Sequence, residues 1–351
     1  MKISVGLSEL SEARMRYAKQ MGAHGVSIGA YALDSYNQTG WVDVGELKSA
    51  KSAVAAHGLD VFTLRLRPQA THDILTDGPN AQREIDNVVA CVRAAGEAGV
   101  PFLYYNLTPW RSLPTAWGDM PGAPSPEPGS VSVGSGPGRY YRPNGRGGAV
   151  LLTHRGPLAE RDQTTTPEES VAPYGRIMAD QMWDRIGRMY EAVIPAAEEA
   201  GVNVGAHPND PPEPIYRGVE QVMNTVDGLN RLVDLVDSPR SGLLLCIGTL
   251  HEMGEDTMAA MDSLLSRGKI FYAHFRNPKG TVPGGDYQED FLDEGDLNMM
   301  DVMRLYKSHG YTGAFDPDHA QGIEGDEGGR IGFAWELGYM RALLKTVMDE
   351  G

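Results

Sequence analysis

Short runs of Val, Ile, Leu and aromatic residues recur along the chain, and each gives way to a longer stretch with apolar residues three or four apart. The first pattern predicts a buried strand and the second an amphipathic helix. Strands are predicted at 3–7, 25–28, 60–66, 101–107, 202–207, 242–247, 270–275 and 313–316. The first runs into Ser8-Glu9-Leu10-Ser11-Glu12-Ala13, a capping sequence, after which Leu10, Met15, Ala18 and Met21 form one helical face. Further helices are predicted at 44–56, 81–98, 181–200, 219–236, 256–266, 299–308 and 333–348. Gly22, Gly58, Gly99, Gly201, Gly268 and Gly310 each stand between a helix and the next strand, where a left-handed C-cap is expected. Eight such units predict an α/β fold with parallel strands, closed as a (β/α)8 TIM barrel in a single domain over 1–351. An open doubly wound sheet is the alternative, but no Gly-x-Gly-x-x-Gly turn follows the first strand.

One segment interrupts the rhythm. Residues 108–173, after the fourth strand, hold Pro114, Pro121, Pro124, Pro126, Pro128, Pro137 and Pro143 among many Gly and Ser. This Pro/Gly-rich insertion leaves the end of the barrel where active sites are built. Trp110, Arg111, Trp117, Arg139, Tyr140, Tyr141, Arg142, His154 and Arg155 make it too aromatic and basic for an inert linker. It reads as a lid or an oligomer contact, and a homo-oligomer is expected. Charge narrows the partners: 47 acidic against 31 basic residues give −16, which repels nucleic acid and anionic membranes. Met1-Lys2-Ile3-Ser4-Val5 leads straight into strand-like sequence, and a run of about 18 apolar residues is missing. Two cysteines build no disulfide framework, so a cytoplasmic enzyme acting on a small molecule is expected.

Candidate chemistry sits at the strand ends. His207, Cys246 and His274 fall late in the fifth, sixth and seventh strands, and Asp318 and His319 follow the eighth. Their separations of 39, 28 and 44 residues are each about one βα unit. Four successive strands therefore deliver His, Cys, His and Asp to one rim, a donor set suited to a divalent ion. Cys91 lies on an apolar helical face and is assigned to packing, while His24, His57, His72, His251 and His309 lack this convergence.

His207-Pro208-Asn209-Asp210-Pro211-Pro212, Cys246-Ile247-Gly248-Thr249-Leu250, His274-Phe275-Arg276-Asn277 and Pro317-Asp318-His319 resemble the motifs of the mannonate dehydratase family. Tyr105-Asn106 and Leu297-Asn298-Met299 resemble it too, and the likeness covers most of the chain from Gly22 onward. The resemblance implies a xylose-isomerase-like barrel with a Mn2+-type ion on His207, Cys246, His274 and Asp318. It implies a hydro-lyase that removes water from D-mannonate to give a 2-keto-3-deoxy acid. On it, His319, Asp318 and Arg276 are the candidate catalytic residues, and Asn277, Asn106, Tyr105 and Arg330 the candidate substrate-binding ones. Zn2+, Co2+ or Ni2+ would also suit a thiolate with two imidazoles.

Three departures accompany the likeness. Ala320-Gln321-Gly322 follows Asp318-His319 where the family has a Gly directly. Arg330 and Phe333 stand where the family carries tyrosines, leaving Tyr339 or the insertion to substitute. The insertion itself is unlike the family's lid. A metal-dependent sugar isomerase or epimerase, a lyase for another sugar derivative, and a non-catalytic binder are therefore the competing readings.

Overall fold

The computed structural model describes residues 1–109, 132–133, 138–156, 175–326 and 329–350. Trp110, Arg111, Trp117 and the rest of the predicted insertion within 110–131, 134–137 and 157–174 lie outside the described residues. Eight parallel strands close a barrel: β1 (Lys2–Leu7), β2 (Gly25–Gly29), β3 (Asp60–Arg65), β4 (Phe102–Asn106), β5 (Asn203–His207), β6 (Ser241–Cys246), β7 (Ile270–His274) and β8 (Ala314–Asp316). Each strand pairs with its neighbours in sequence, and Lys2 opposite Ala314 closes β1 on β8. Between them run α1 (Glu12–Gln20), α2 (Val44–Ala56), α3 (Ala81–Ala98), α4 (Ala179–Ala200), α5 (Val226–Asp234), α6 (Thr257–Ser266) and α7 (Met299–Ser308), with α8 (Arg330–Asp349) last.

Local chemistry sets these boundaries. Asp43, Asp256 and Asn298 accept hydrogen bonds from the first-turn amides of α2, α6 and α7. The six predicted C-cap glycines all have positive φ; Gly99, at 69°, returns its N–H to Ala95 and Gly96 to end α3. The alternation of β4 places Phe102 and Tyr104 inside the barrel, packed with Leu244, Tyr272 and Ala314. Leu103 and Tyr105 face outward into the larger core between strands and helices.

The helix predicted at 219–236 begins only at Val226. Residues Val219–Glu220 instead pair antiparallel with Ile215–Tyr216. The Asn209 side chain takes the Met223 amide at 2.8 Å, and the Thr225 hydroxyl caps Gly228 at 3.1 Å. These bonds hold the stretch before 225 as a loop.

A second sheet was not foreseen. Lys279–Gly280, Asp286–Gln288, Leu151–Arg155, Arg139–Arg142 and Ser132–Val133 form five antiparallel strands in that order. It joins the insertion after β4 to the connection after β7. Val150 and Gly322 exchange backbone hydrogen bonds of 2.8 Å, tying it also to the loop after β8. The sheet is thus assembled from connections at the C-terminal end of the barrel. No helix among the described residues is long and apolar enough to cross a membrane.

Candidate metal centre and active site

His207, Cys246 and His274 are the last residues of β5, β6 and β7, and Asp318 lies two residues past β8. Cys246 is opposite His274 in register, and His274 opposite Asp316. One donor atom from each of His207, Cys246, His274 and Asp318 lies within 4.8 Å of all the others. The three strand residues are buried, and Asp318 is nearly so. His207 donates from Nδ1 to the Pro208 carbonyl at 2.7 Å, which leaves Nε2 as the nitrogen available to an ion.

The charges suit a cation. Burial opposes ionisation of Cys246, yet Arg276, His207 and His274 overcome it and hold the thiol well below its usual pKa. Asp318 is likewise held down against burial by His274, His319 and Arg276. Two anions therefore face one point, and Asp318 Oδ2 sits 3.2 Å from His274 Nδ1. Two imidazoles, a thiolate and a carboxylate at this spacing fit a divalent ion.

Arg276 stands behind this cage. Its Nη1 donates to Cys246 Sγ at 2.9 Å, to Asp210 at 3.1 Å and to Thr249 at 3.2 Å. Nη2 reaches Glu252 at 2.7 Å and also Glu289, while Nε reaches Glu289 at 3.1 Å. Arg276, expected among the catalytic residues, has a guanidinium already committed to protein acceptors. Asp210 also pairs with Arg139 and, despite burial, is held below the usual carboxylate range by Arg139 and Arg276. His319 lies beside the cage, with Nδ1 3.0 Å from Glu289 and Nε2 3.4 Å from Asp318. Burial, reinforced by Arg276, pushes its pKa down to about 3, so the ring is neutral near pH 7. Glu289 is the nearer of its two carboxylate neighbours and accepts from Nδ1–H, with Nε2 on the side of Asp318.

The structure brings His207, Cys246, His274, Asp318, His319 and Arg276 together. Asn106 joins them from the inner face of β4, opposite His207 in register and buried. Tyr105 does not: strand alternation turns its ring outward against Tyr190 of α4, at 6.5 Å. Asn277 is committed to the following loop, donating to Leu292 and Leu297 carbonyls and accepting from the Leu297 amide. Arg330 is exposed at the start of α8, where its carbonyl accepts from Tyr17. Tyr339 stacks on Trp335 within α8 at 5.5 Å. Sequence reasoning gave no role to Asp210, Arg139, Glu252 and Glu289. Asp210 lay inside a quoted motif and Arg139 in the basic insertion; the two glutamates carry no signal in the sequence.

Known proteins share the sequence and fold of this chain over most of its length. The family described as D-mannonate dehydratase (UxuA) matches residues 8–348. Mannonate dehydratase 2 of Halalkalibacterium halodurans is 28% identical over 306 residues, covering 87% of this chain and 85% of its own. The crystal structure of mannonate dehydratase from Streptococcus suis serotype 2 superposes with a TM-score of 0.79 at 22% identity, over 99% of this chain and 95% of that one. An L-ribulose 3-epimerase structure shares the fold at a TM-score of 0.58 and 13% identity, over 99% and 96% of the two chains.

Proposed function

This chain belongs to the D-mannonate dehydratase family, a family of hydro-lyases, and from that premise we propose that it removes water from D-mannonate to give 2-keto-3-deoxygluconate. The observation that carries the reading is the four-donor cage with His319 beside it, Nε2 3.4 Å from Asp318. His207, Cys246, His274 and Asp318 would hold the ion, taken as Mn2+ on the family likeness. When bound, such an ion polarises substrate oxygens and stabilises the negative charge that develops on elimination. The remaining roles belong to the chain. His319 takes the proton next to the carboxylate through Nε2, with Glu289 holding the ring by its Nδ1–H. Arg276 keeps Cys246 ionised and ties Asp210, Glu252 and Glu289 to the back of the cage. Asn106 is placed to contact substrate at the rim of β4.

A second reading has one observation behind it. On the family resemblance, Arg330 and Phe333 stand where tyrosines are expected, so proton transfer by His319 without loss of hydroxide would make the protein an isomerase or epimerase. Metal-loaded protein incubated with a panel of aldonic and uronic acids separates the two. Loss of one water from mannonate is the expected result. Retained mass with hydrogen exchange at one carbon would establish the isomerase instead, and loss of water only from another acid would replace the substrate.

A further inference from the structure

Among the described residues of the insertion, Arg139 reaches Asp210 beside the site. Arg139 begins the strand Arg139–Arg142, which pairs with Leu151–Arg155 and through it with Asp286–Gln288. Its side chain has no exposed surface. Nη2 donates to Asp210 Oδ1, and Asp210 Oδ2 accepts from Arg276 Nη1 at 3.1 Å. That same Nη1 is 2.9 Å from Cys246 Sγ. Arg139 is therefore linked to the metal cage through one carboxylate and one guanidinium. Its Cζ also lies 5.7 Å from the centre of the Tyr287 ring.

Nε and Nη1 of Arg139 are buried and meet no hydrogen-bond acceptor among the described residues. Buried charged donors are costly to leave unpaired, so this geometry favours an acceptor brought in from outside the protein. Arg276 cannot meet that need, because every one of its nitrogens already donates to a protein group. A neutral hydroxyl would satisfy one N–H; an anion would also answer the fixed positive charge.

We propose that Arg139 binds the carboxylate of the substrate through Nε or Nη1, and that the insertion thereby makes the site prefer sugar acids over neutral sugars. The proposal rests on the reading of this site as one that acts on a sugar acid. Arg139 so acts on specificity, while the cage and His319 act on the reacting carbons.

The test is calorimetric titration of the metal-loaded enzyme with a six-carbon aldonate and with the alditol of the same configuration. Wild type is expected to prefer the acid. Arg139→Gln should lose that preference by about 10- to 100-fold in Kd, with alditol affinity and metal content unchanged. Asp210→Asn frees Arg139 without removing it and should keep the preference; it also decides the matter if Arg139→Gln does not fold. The proposal is overturned by a wild type indifferent to the carboxylate, by an Arg139→Gln that still prefers the acid, or by an Asp210→Asn that loses the preference as Arg139→Gln does. Acid and alditol weakening together would show Arg139 to be a tether for the insertion, and equally overturns it. Product mass from the same mixtures reports on the lyase reading separately. An acid preference without loss of water defeats that reading and leaves the carboxylate clamp standing.

Discussion

His319 has two nitrogens with different tasks. Nδ1 meets Glu289 at 3.0 Å, and Nε2 faces the metal cage beside Asp318. Asparagine can keep the first contact with its amide N–H but offers no basic nitrogen in place of the second. His319→Asn should therefore lower turnover by about 10²- to 10⁴-fold while metal content stays near wild type, checked by initial rates and elemental analysis. Unchanged turnover would remove His319 from the mechanism. Cys246 is the complementary case. Arg276, His207 and His274 hold it as a thiolate against the effect of burial, and a serine hydroxyl is not ionised by the same field. Cys246→Ser should emerge from dialysis with much less bound metal; equal occupancy would mean that the ligand set is wrong. Cys246 was legible because a strand end fixes where a side chain points, and His319 because it directly follows Asp318 in a family-like motif. Tyr105 was misread for want of the same rule: if Asn106 faces inward, the residue before it faces out.

At the scale of elements, α8 shows how a helix borders the site. Glu336 is buried on it, and Gln321, from the loop after β8, donates to its Oε1 at 3.5 Å. Burial raises its pKa to about 8. The folded state thus holds a proton that the unfolded chain releases in the ordinary carboxyl range. Stability from this group is complete below that range and is lost as pH rises through about 8. Glu336→Gln mimics the protonated form, so wild type and variant should melt together near pH 5 and the variant should melt higher at pH 9. Parallel melting temperatures across that span would contradict the buried, protonated carboxyl. The barrel elements were readable because strand and helix periods alternate with capping glycines. The five-stranded sheet was not, because its strands are two to five residues long. They also pair across large separations, such as Arg155 with Asp286. The partners of Arg276 were hidden for the same reason. Asp210, Glu252 and Glu289 come from three connections that only the closed barrel brings together.

For the whole molecule, the four candidate ligands lie on or just after four consecutive strands, β5 to β8, so an ion bound there would tie one half of the barrel together at its rim. That half also meets β1 where the barrel closes, through Lys2–Ala314 and Ile3–Phe315. In the unfolded chain the same residues are spread from 207 to 318 and cannot converge on one ion. Metal binding is then linked to folding: an ion at a hundred times its dissociation constant adds about 2.7 kcal/mol to the folded state. Chelated protein should melt several degrees below the reloaded form. His207→Ala should melt at one temperature with or without added metal, because the cage has lost a donor from β5. A His207→Ala variant that gains as much from metal as wild type would place the stabilising ion elsewhere. Wild-type protein indifferent to chelation would show that the rim is held by Arg276 and its carboxylates alone, whose buried contacts need no ion to form.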